Sequence, residues 1–313
     1  MKLSTSHGDK LKSLLQNGKL PREDVPKIEE AIGRYEKWLQ RLRKVQGTSQ
    51  EKLTKMVSLL NDYRLYIDLE LVFESSKDFL YRQKGQLKLD NTVIEEFLPI
   101  LVTTILSDKL KGYELSFGPT TCFSSIRFES SLTSCHTEVG MQVREKDQDF
   151  AISKKLFIRA SHSPDFKEAI TKETHIAYIV AECKTNLDKT MFQEAAATAI
   201  DVKVAVPTAK YYLLCEWLDM TPISTSTTAI DEVIILRKAK RLSSNIRKEF
   251  DTVEGRQGKK AFFEEYLKSH PFAEETFSRF LVHVAIITRP VVLGLVEQIG
   301  AGTFLSYKSS VLV

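Results

Sequence analysis

The sequence has little cysteine, few histidines, no phosphate-type glycine loop and no long apolar run, and each shortage closes off a class of function. The four cysteines, Cys122, Cys135, Cys183 and Cys215, form no C-x-x-C pair. Neither a disulfide framework nor a zinc knuckle is expected, and they read as reduced thiols. The six histidines, at 7, 136, 162, 175, 270 and 283, show no H-x-x-x-H spacing, so zinc chemistry has little support. His136, near Glu138, reads as a structural residue at a strand start. Gly294 and the Gly300-Ala301-Gly302 turn lack the Lys-Ser/Thr that a nucleotide loop requires, which argues against an ATP-driven motor. No stretch approaches the roughly 18 apolar residues of a membrane span, and Met1 to Lys10 is polar, without the apolar centre of a signal peptide. A soluble, cytoplasmic protein with no membrane partner is expected.

What is present is enough for one large core or two modest ones: 313 residues, 42% hydrophobic and 27% charged. The net charge of +4 is unevenly spread. Residues 1–60 hold thirteen Lys/Arg against seven Asp/Glu. A second basic stretch runs from Arg237 to Lys260. Both could meet phosphates, and both could be ordinary solvated helix faces.

Periodicity supplies the organisation. Val25, Ile28, Ile32, Tyr35, Leu39 and Leu42 recur at three or four residues, predicting a long amphipathic helix over 22–45. A polar break at Gly47 to Gln50 precedes a second helical run from Glu51 to about Glu74. Residues 92–106 read as another helix, with Asn91 or Thr92 as its cap and Glu95 completing a capping box. Then the pattern changes to strands. Glu138 to Lys146, Phe150 to Ala160 and the nearly all-apolar Ile176 to Ala181 are expected to form a three-strand meander, the last run reading as a buried central strand. Lys189 to Val204 is Ala-rich and helical, Tyr211 to Trp217 and Glu232 to Leu236 are predicted strands, and helix returns from Ser243. The expectation is an α/β protein: a basic helical subdomain over 1–85 that is a candidate for DNA contact, a sheet-containing core over 86–240 and a helical extension over 241–313.

One Glu-x-Lys occurs in the chain, Glu182-Cys183-Lys184, directly after the apolar strand. Residues two apart on a strand share a face, so Glu182 and Lys184 point together while Cys183 packs the other way. Two carboxylates and one lysine are the minimal set for hydrolysing a phosphodiester with a bound Mg²⁺. The second carboxylate is assigned to Asp149, at the head of the run from Phe150, which an antiparallel neighbour would bring beside Glu182. Asp165, in Pro164-Asp165, is the main alternative, but a hairpin between the two strands strands it roughly 20 Å away, at about 3.3 Å per residue. Asp147, two residues before Asp149 and on the same face, is the third.

These residues carry a resemblance. Ala181 to Lys189 with Met191 to Ala195, Lys146 to Ile152, and Thr92 to Leu98 together resemble the PD-(D/E)XK nucleases, and among them type II restriction endonucleases of the BbvCI-like group, over roughly residues 90 to 240. The resemblance implies a mixed central sheet flanked by helices, Mg²⁺ held by Asp149, Glu182 and the Cys183 carbonyl, Lys184 at the attacking water, and support from Glu95 or Glu96. Gln193, on the following helix, reads more readily as an ordinary helix-surface residue, with DNA contact or support of Lys184 as the alternative. It implies site-specific cleavage of double-stranded DNA by a dimer, either of identical chains or with a second nuclease subunit. The sequence departs from the family pattern in lacking proline before Asp149 and in the long interval to Glu182. A repair or mobile-element nuclease with the same core, or a nucleic-acid-binding module without catalysis, are the alternatives.

Overall fold

The computed structural model describes residues 6–134 and 139–287. Cys135, His136, Glu138, Gly294 and the Gly300 to Gly302 turn lie outside the described residues, as do both ends of the chain. Helices α1 (Ser6–Leu15), α2 (Val25–Arg43) and α3 (Ser49–Leu65) form the basic N-terminal layer. The three-to-four spacing puts Ile28, Tyr35, Leu39 and Leu42 on the buried side of α2. At the polar break a capping box starts α3: Thr48 accepts the Glu51 N–H, and the Glu51 carboxylate accepts the Thr48 N–H at 2.8 Å. The chain continues through a π-helical segment, Tyr66–Phe73, to α4 (Phe79–Leu87) and α5 (Asn91–Leu110).

The start of α5 differs from expectation. Its cap is Asp90, whose carboxylate accepts the Asn91 N–H at 2.8 Å. Thr92 turns elsewhere, donating to the Lys88 carbonyl at 2.6 Å and meeting the His7 ring at 3.1 Å, so no capping box forms with Glu95.

Five strands follow: β1 (Ser116–Phe128), β2 (Met141–Ala160), β3 (Ile170–Leu187), β4 (Lys210–Leu218) and β5 (Glu232–Lys240), lying side by side in that order. The first three are an antiparallel meander; β4 and β5 are parallel to β3, with α6 (Lys189–Ala205) as the crossover. The expected order of helix, three strands, helix and two strands is therefore present, with two corrections. The runs read as separate strands around Lys146 and Phe150 are one continuous strand, β2. The outer strand of the meander is β1, whose Gly118, Pro119 and Ser/Thr residues hide its alternation; Pro119 is tolerated because β1 is a sheet edge.

Side chains alternate between two cores. Phe150, Ile152, Ala181 and Cys183 pack toward α5 and α9 (Glu274–Ile287), while Ala151, Val180 and Tyr211 pack toward α6. Phe150 and Phe280 are fully buried with rings 5.9 Å apart, and each burial contributes about 1.5–3 kcal/mol. The helical layer is fixed to the sheet by buried charge. Arg64 of α3 meets Glu216 of β4 at 2.9 Å, Arg237 of β5 approaches the same carboxylate at 3.5 Å, and both arginines reach Asp68. Removing one member of such a cluster costs about 3–5 kcal/mol, because the partner stays buried without a counter-charge.

After β5 come α7 (Ser244–Lys248) and α8 (Val253–Ser269). The basic stretch over 237–260 is thus divided. Arg237 is buried in the ion cluster, and Arg256 is buried against the carbonyls of Phe73, Lys77 and Phe250. These two are structural, not phosphate contacts. Cys122, Cys183 and Cys215 are buried free thiols. No helix among the described residues is long and apolar enough to cross a membrane.

Candidate active site

The site forms where β2 parts from β3. Their ladder ends at the Phe150 and Ala181 pair, and beyond it β3 runs on beside β4 alone. On its other side β2 carries a bulge: Ala151 pairs with Gly118 and Gln148 with Thr120, so Asp149 and Phe150 together oppose Pro119, which has no N–H to offer. Asp149 therefore sits inside a long strand, in a bulge, and not at a strand head as expected. The split leaves the Cys183 N–H without a β2 carbonyl, and the Asp149 carboxylate takes its place at 2.9 Å.

Glu182 and Lys184 share the α6 side of β3, as their two-residue spacing requires. The Lys184 ammonium lies 2.7 Å from one oxygen of Glu182, and Tyr211 of β4 donates its hydroxyl to the other. Burial opposes the charge on Lys184, but the bond to Glu182 and the nearby carboxylates raise its pKa overall. Burial raises the Asp149 pKa; the Cys183 N–H opposes this, and the charge of Glu182 adds to it. Glu95 comes from the α5 side. Burial, then the charge of Asp149, push its carboxyl up to about 7, while the charges of Lys88 and Lys10 and a hydrogen bond from the Asn91 amide at 3.0 Å work the other way.

The other expected residues lie elsewhere. Glu96, next to Glu95, faces the N-terminal layer, where it accepts the Tyr35 hydroxyl at 2.5 Å and the His7 N–H at 3.1 Å. Gln193 is exposed on α6. Asp165 is in the loop closing the β2–β3 hairpin, held by Ser163 and by Lys167 at 3.0 Å. Asp147 accepts the Thr121 hydroxyl of β1 at 2.6 Å. Sequence reasoning missed Tyr211, whose place beside Glu182 follows only from the β3–β4 register. It also missed Lys88, at the left-handed end of α4, whose charge acts on both Asp149 and Glu95.

Among the described residues, no three His, Cys, Asp or Glu side chains are placed to hold a metal ion together. The donor set nonetheless fits a hard divalent cation, which commonly takes only one or two carboxylates and completes its shell with backbone oxygen, water and substrate. The observation behind the fit is electrostatic: Asp149, Glu182 and Glu95 each act on another as like charges, the arrangement that a bound cation relieves.

The model of the Bpu10I restriction endonuclease family matches residues 86–304, most of the chain, the meander and the E-x-K strand included. The chain belongs to the Bpu10I restriction endonuclease family. It is accordingly a site-specific deoxyribonuclease of type II, as the E-x-K strand and its surroundings suggested. Enzymes of this kind generally use divalent metal ions. No curated protein matches the chain. Among solved structures, the native BbvCI A2B2 tetramer is similar, with a TM-score of 0.51 and 16% identity, over 86% of this chain and 99% of that one. At that identity the likeness speaks for the fold: a mixed five-stranded sheet flanked by helices, shared with a restriction enzyme. The BbvCI-like resemblance read from the sequence agrees with both findings.

Proposed function

We propose that this member of the Bpu10I family hydrolyses duplex DNA at a specific sequence using Mg²⁺, leaving 5′-phosphate and 3′-hydroxyl ends, with Asp149, Glu182 and Lys184 as its catalytic residues. The observation that carries the reading is the convergence of Asp149, the Cys183 backbone, Glu182 and Lys184 at the split between β2 and β3. Asp149, Glu182 and the Cys183 carbonyl would hold the ion. When bound there, a divalent cation supplies Lewis-acid stabilisation of charge at the phosphate and favours deprotonation of a nearby water.

The chain's own residues do the rest. The Lys184 ammonium, held at Glu182, orients the attacking water and stabilises charge developing on the phosphate oxygens. Tyr211 fixes the second oxygen of Glu182, so the carboxylate presents a constant orientation. Glu95 adds negative charge behind Asp149 and strengthens cation binding.

One such site cuts one strand, so the working enzyme is a dimer, either of this chain or with a second nuclease subunit. The similar BbvCI structure is itself an A2B2 tetramer. We assign the basic layer over 1–85 to DNA contact, 86–240 to the nuclease core and 241–313 to a helical extension, in a cytoplasmic enzyme. The test is digestion of plasmid DNA by the purified chain, alone and with any subunit encoded beside it, with Mg²⁺ or with EDTA. Discrete bands that need Mg²⁺ are expected; a smear, or cutting in EDTA, would refute this reading.

A further inference from the structure

The cleft that ends at Asp149, Cys183 and Lys184 continues, with a volume of about 480 Å³, between α4, the start of α5, the segment after β5 and α8. Its lining is strongly cationic, with seven Lys/Arg against three Asp. Those acids are already engaged. Asp68 pairs with Arg64 and Arg237 at 3.1 and 3.5 Å, Asp90 caps α5, and Asp149 holds the Cys183 N–H. Across the cleft, Arg241 and Arg247 share a single carboxylate, Asp219, at 2.9 and 3.7 Å.

Lys84 of α4 has no such partner. Among the described residues no carboxylate lies within ion-pair distance of its ammonium, which sits 4.1 Å from the centre of the Tyr81 ring. It is half-buried in the cleft wall. Burial lowers its pKa; Asp90 and Asp68 oppose this from a distance, while Arg241 and Arg247 add to it. A half-buried ammonium facing two guanidiniums across a cleft is costly unless an anion joins them. The cleft runs up to Asp149 and Lys184, where the scissile phosphate would lie, so a strand bound there brings its neighbouring phosphates along this wall.

We infer that Lys84, Arg241 and Arg247 form a second anion site, which receives a backbone phosphate of the same DNA strand whose scissile phosphate lies at Asp149 and Lys184. This assignment rests on the nuclease reading above. Arg241 and Arg247 offer planar donors suited to phosphate oxygens, and Lys84 supplies a point charge from the opposite wall. Tyr81 and Trp217 give the cleft an apolar lining for the attached sugar. Asp219 keeps the two arginines in place while the strand is absent.

The test uses the full chain and a duplex spanning a cut position mapped on plasmid DNA. A set of these duplexes carries one neutral methylphosphonate at successive positions along the cut strand, and binding is followed across a salt series. For the wild type, one position near the cut is expected to lose about tenfold in affinity. Lys84→Met should bind the unmodified duplex about tenfold more weakly, with a salt slope shallower by about one, and should lose nothing further at that position. Arg247→Gln should reproduce the effect, and the melting temperature of Lys84→Met without DNA should equal or exceed that of the wild type. Wild-type affinity and salt slope in both variants, or a methylphosphonate penalty that persists in Lys84→Met, would overturn the site. If the wild type cuts no DNA under any condition, the nuclease reading itself has failed; normal cutting with indifferent Lys84 and Arg247 variants removes only the second phosphate site.

Discussion

Glu95 and Glu96 are neighbours on α5, and about 100° of helical rotation sends them into opposite environments. On the face toward the N-terminal layer, Glu96 is one member of a closed set. It accepts from Tyr35 and from the His7 backbone, and the His7 ring meets Thr92 at 3.1 Å and Tyr63 at 2.8 Å. On the face toward the sheet, Glu95 has one donor and a like charge, Asp149, nearby. Both glutamates are buried, yet among the described residues Glu96 has donors on both of its oxygens and Glu95 on one. Burial alone therefore does not mark a candidate functional carboxylate; what distinguishes the face at the proposed site is that its partners are left incomplete.

The comparison breaks most visibly at the split between β2 and β3. Glu182→Ala and Lys184→Ala should each reduce plasmid cleavage at least about a thousandfold while DNA binding and melting temperature stay near wild type. Near-normal cutting by either variant would leave the sheet face with no special chemistry. Next in size, Glu96→Ala strands the buried Tyr35 hydroxyl and an amide, and should cost about 2–3 kcal/mol in urea unfolding. Its folded fraction should cut within about twofold of wild type, because this face supplies stability alone.

Glu95→Gln sharpens the contrast through pH. The folded-state pKa of Glu95, about 7, lies above its ordinary value of 4.5, so the native state binds the proton more tightly. Its stabilising contribution is complete below pH 4.5 and disappears as pH rises through about 7, at most about 3 kcal/mol. Between pH 4.5 and 7 the melting temperature in EDTA should change with a more negative slope in the wild type than in Glu95→Gln; the slope that the two share comes from Asp149, Glu96 and Glu216, whose pKa values are also raised, and from His7, whose pKa is lowered. An identical slope in both proteins would mean that Glu95 carries no unrelieved charge. The smallest effect belongs to Asp165→Ala: an exposed carboxylate held within its own loop should leave both the urea unfolding midpoint and cutting unaltered.

Much of the sheet was legible because its inner strands are apolar. β3, β4, β5 and α6 were readable from hydrophobic runs, and the shared face of Glu182 and Lys184 from the two-residue period of a strand. The errors have a common physical origin at the edge. β1 is polar and interrupted by Gly118 and Pro119, which an edge strand tolerates and an interior strand does not. The polar stretch Lys146 to Asp149 looked like a turn because it lies where β2 is bulged and leaves the β3 ladder. The cap of α5 was misplaced because Thr92 faces His7, a residue 85 positions away, and no local pattern reports such a partner.

By itself, the sequence determined which local segments are helical or extended, and that an acid and a lysine project from one side of a buried strand, because both properties follow from side-chain periodicity over a few residues. Tertiary structure alone decided that Asp149 reaches the Cys183 amide, that Tyr211 holds Glu182, that Glu95 and not Glu96 faces the site, and that Lys84 meets two arginines across a cleft. Those facts depend on strand register, one bulge and the rotation of one helix, quantities fixed only when distant segments compete for the same hydrogen bonds and the same buried volume.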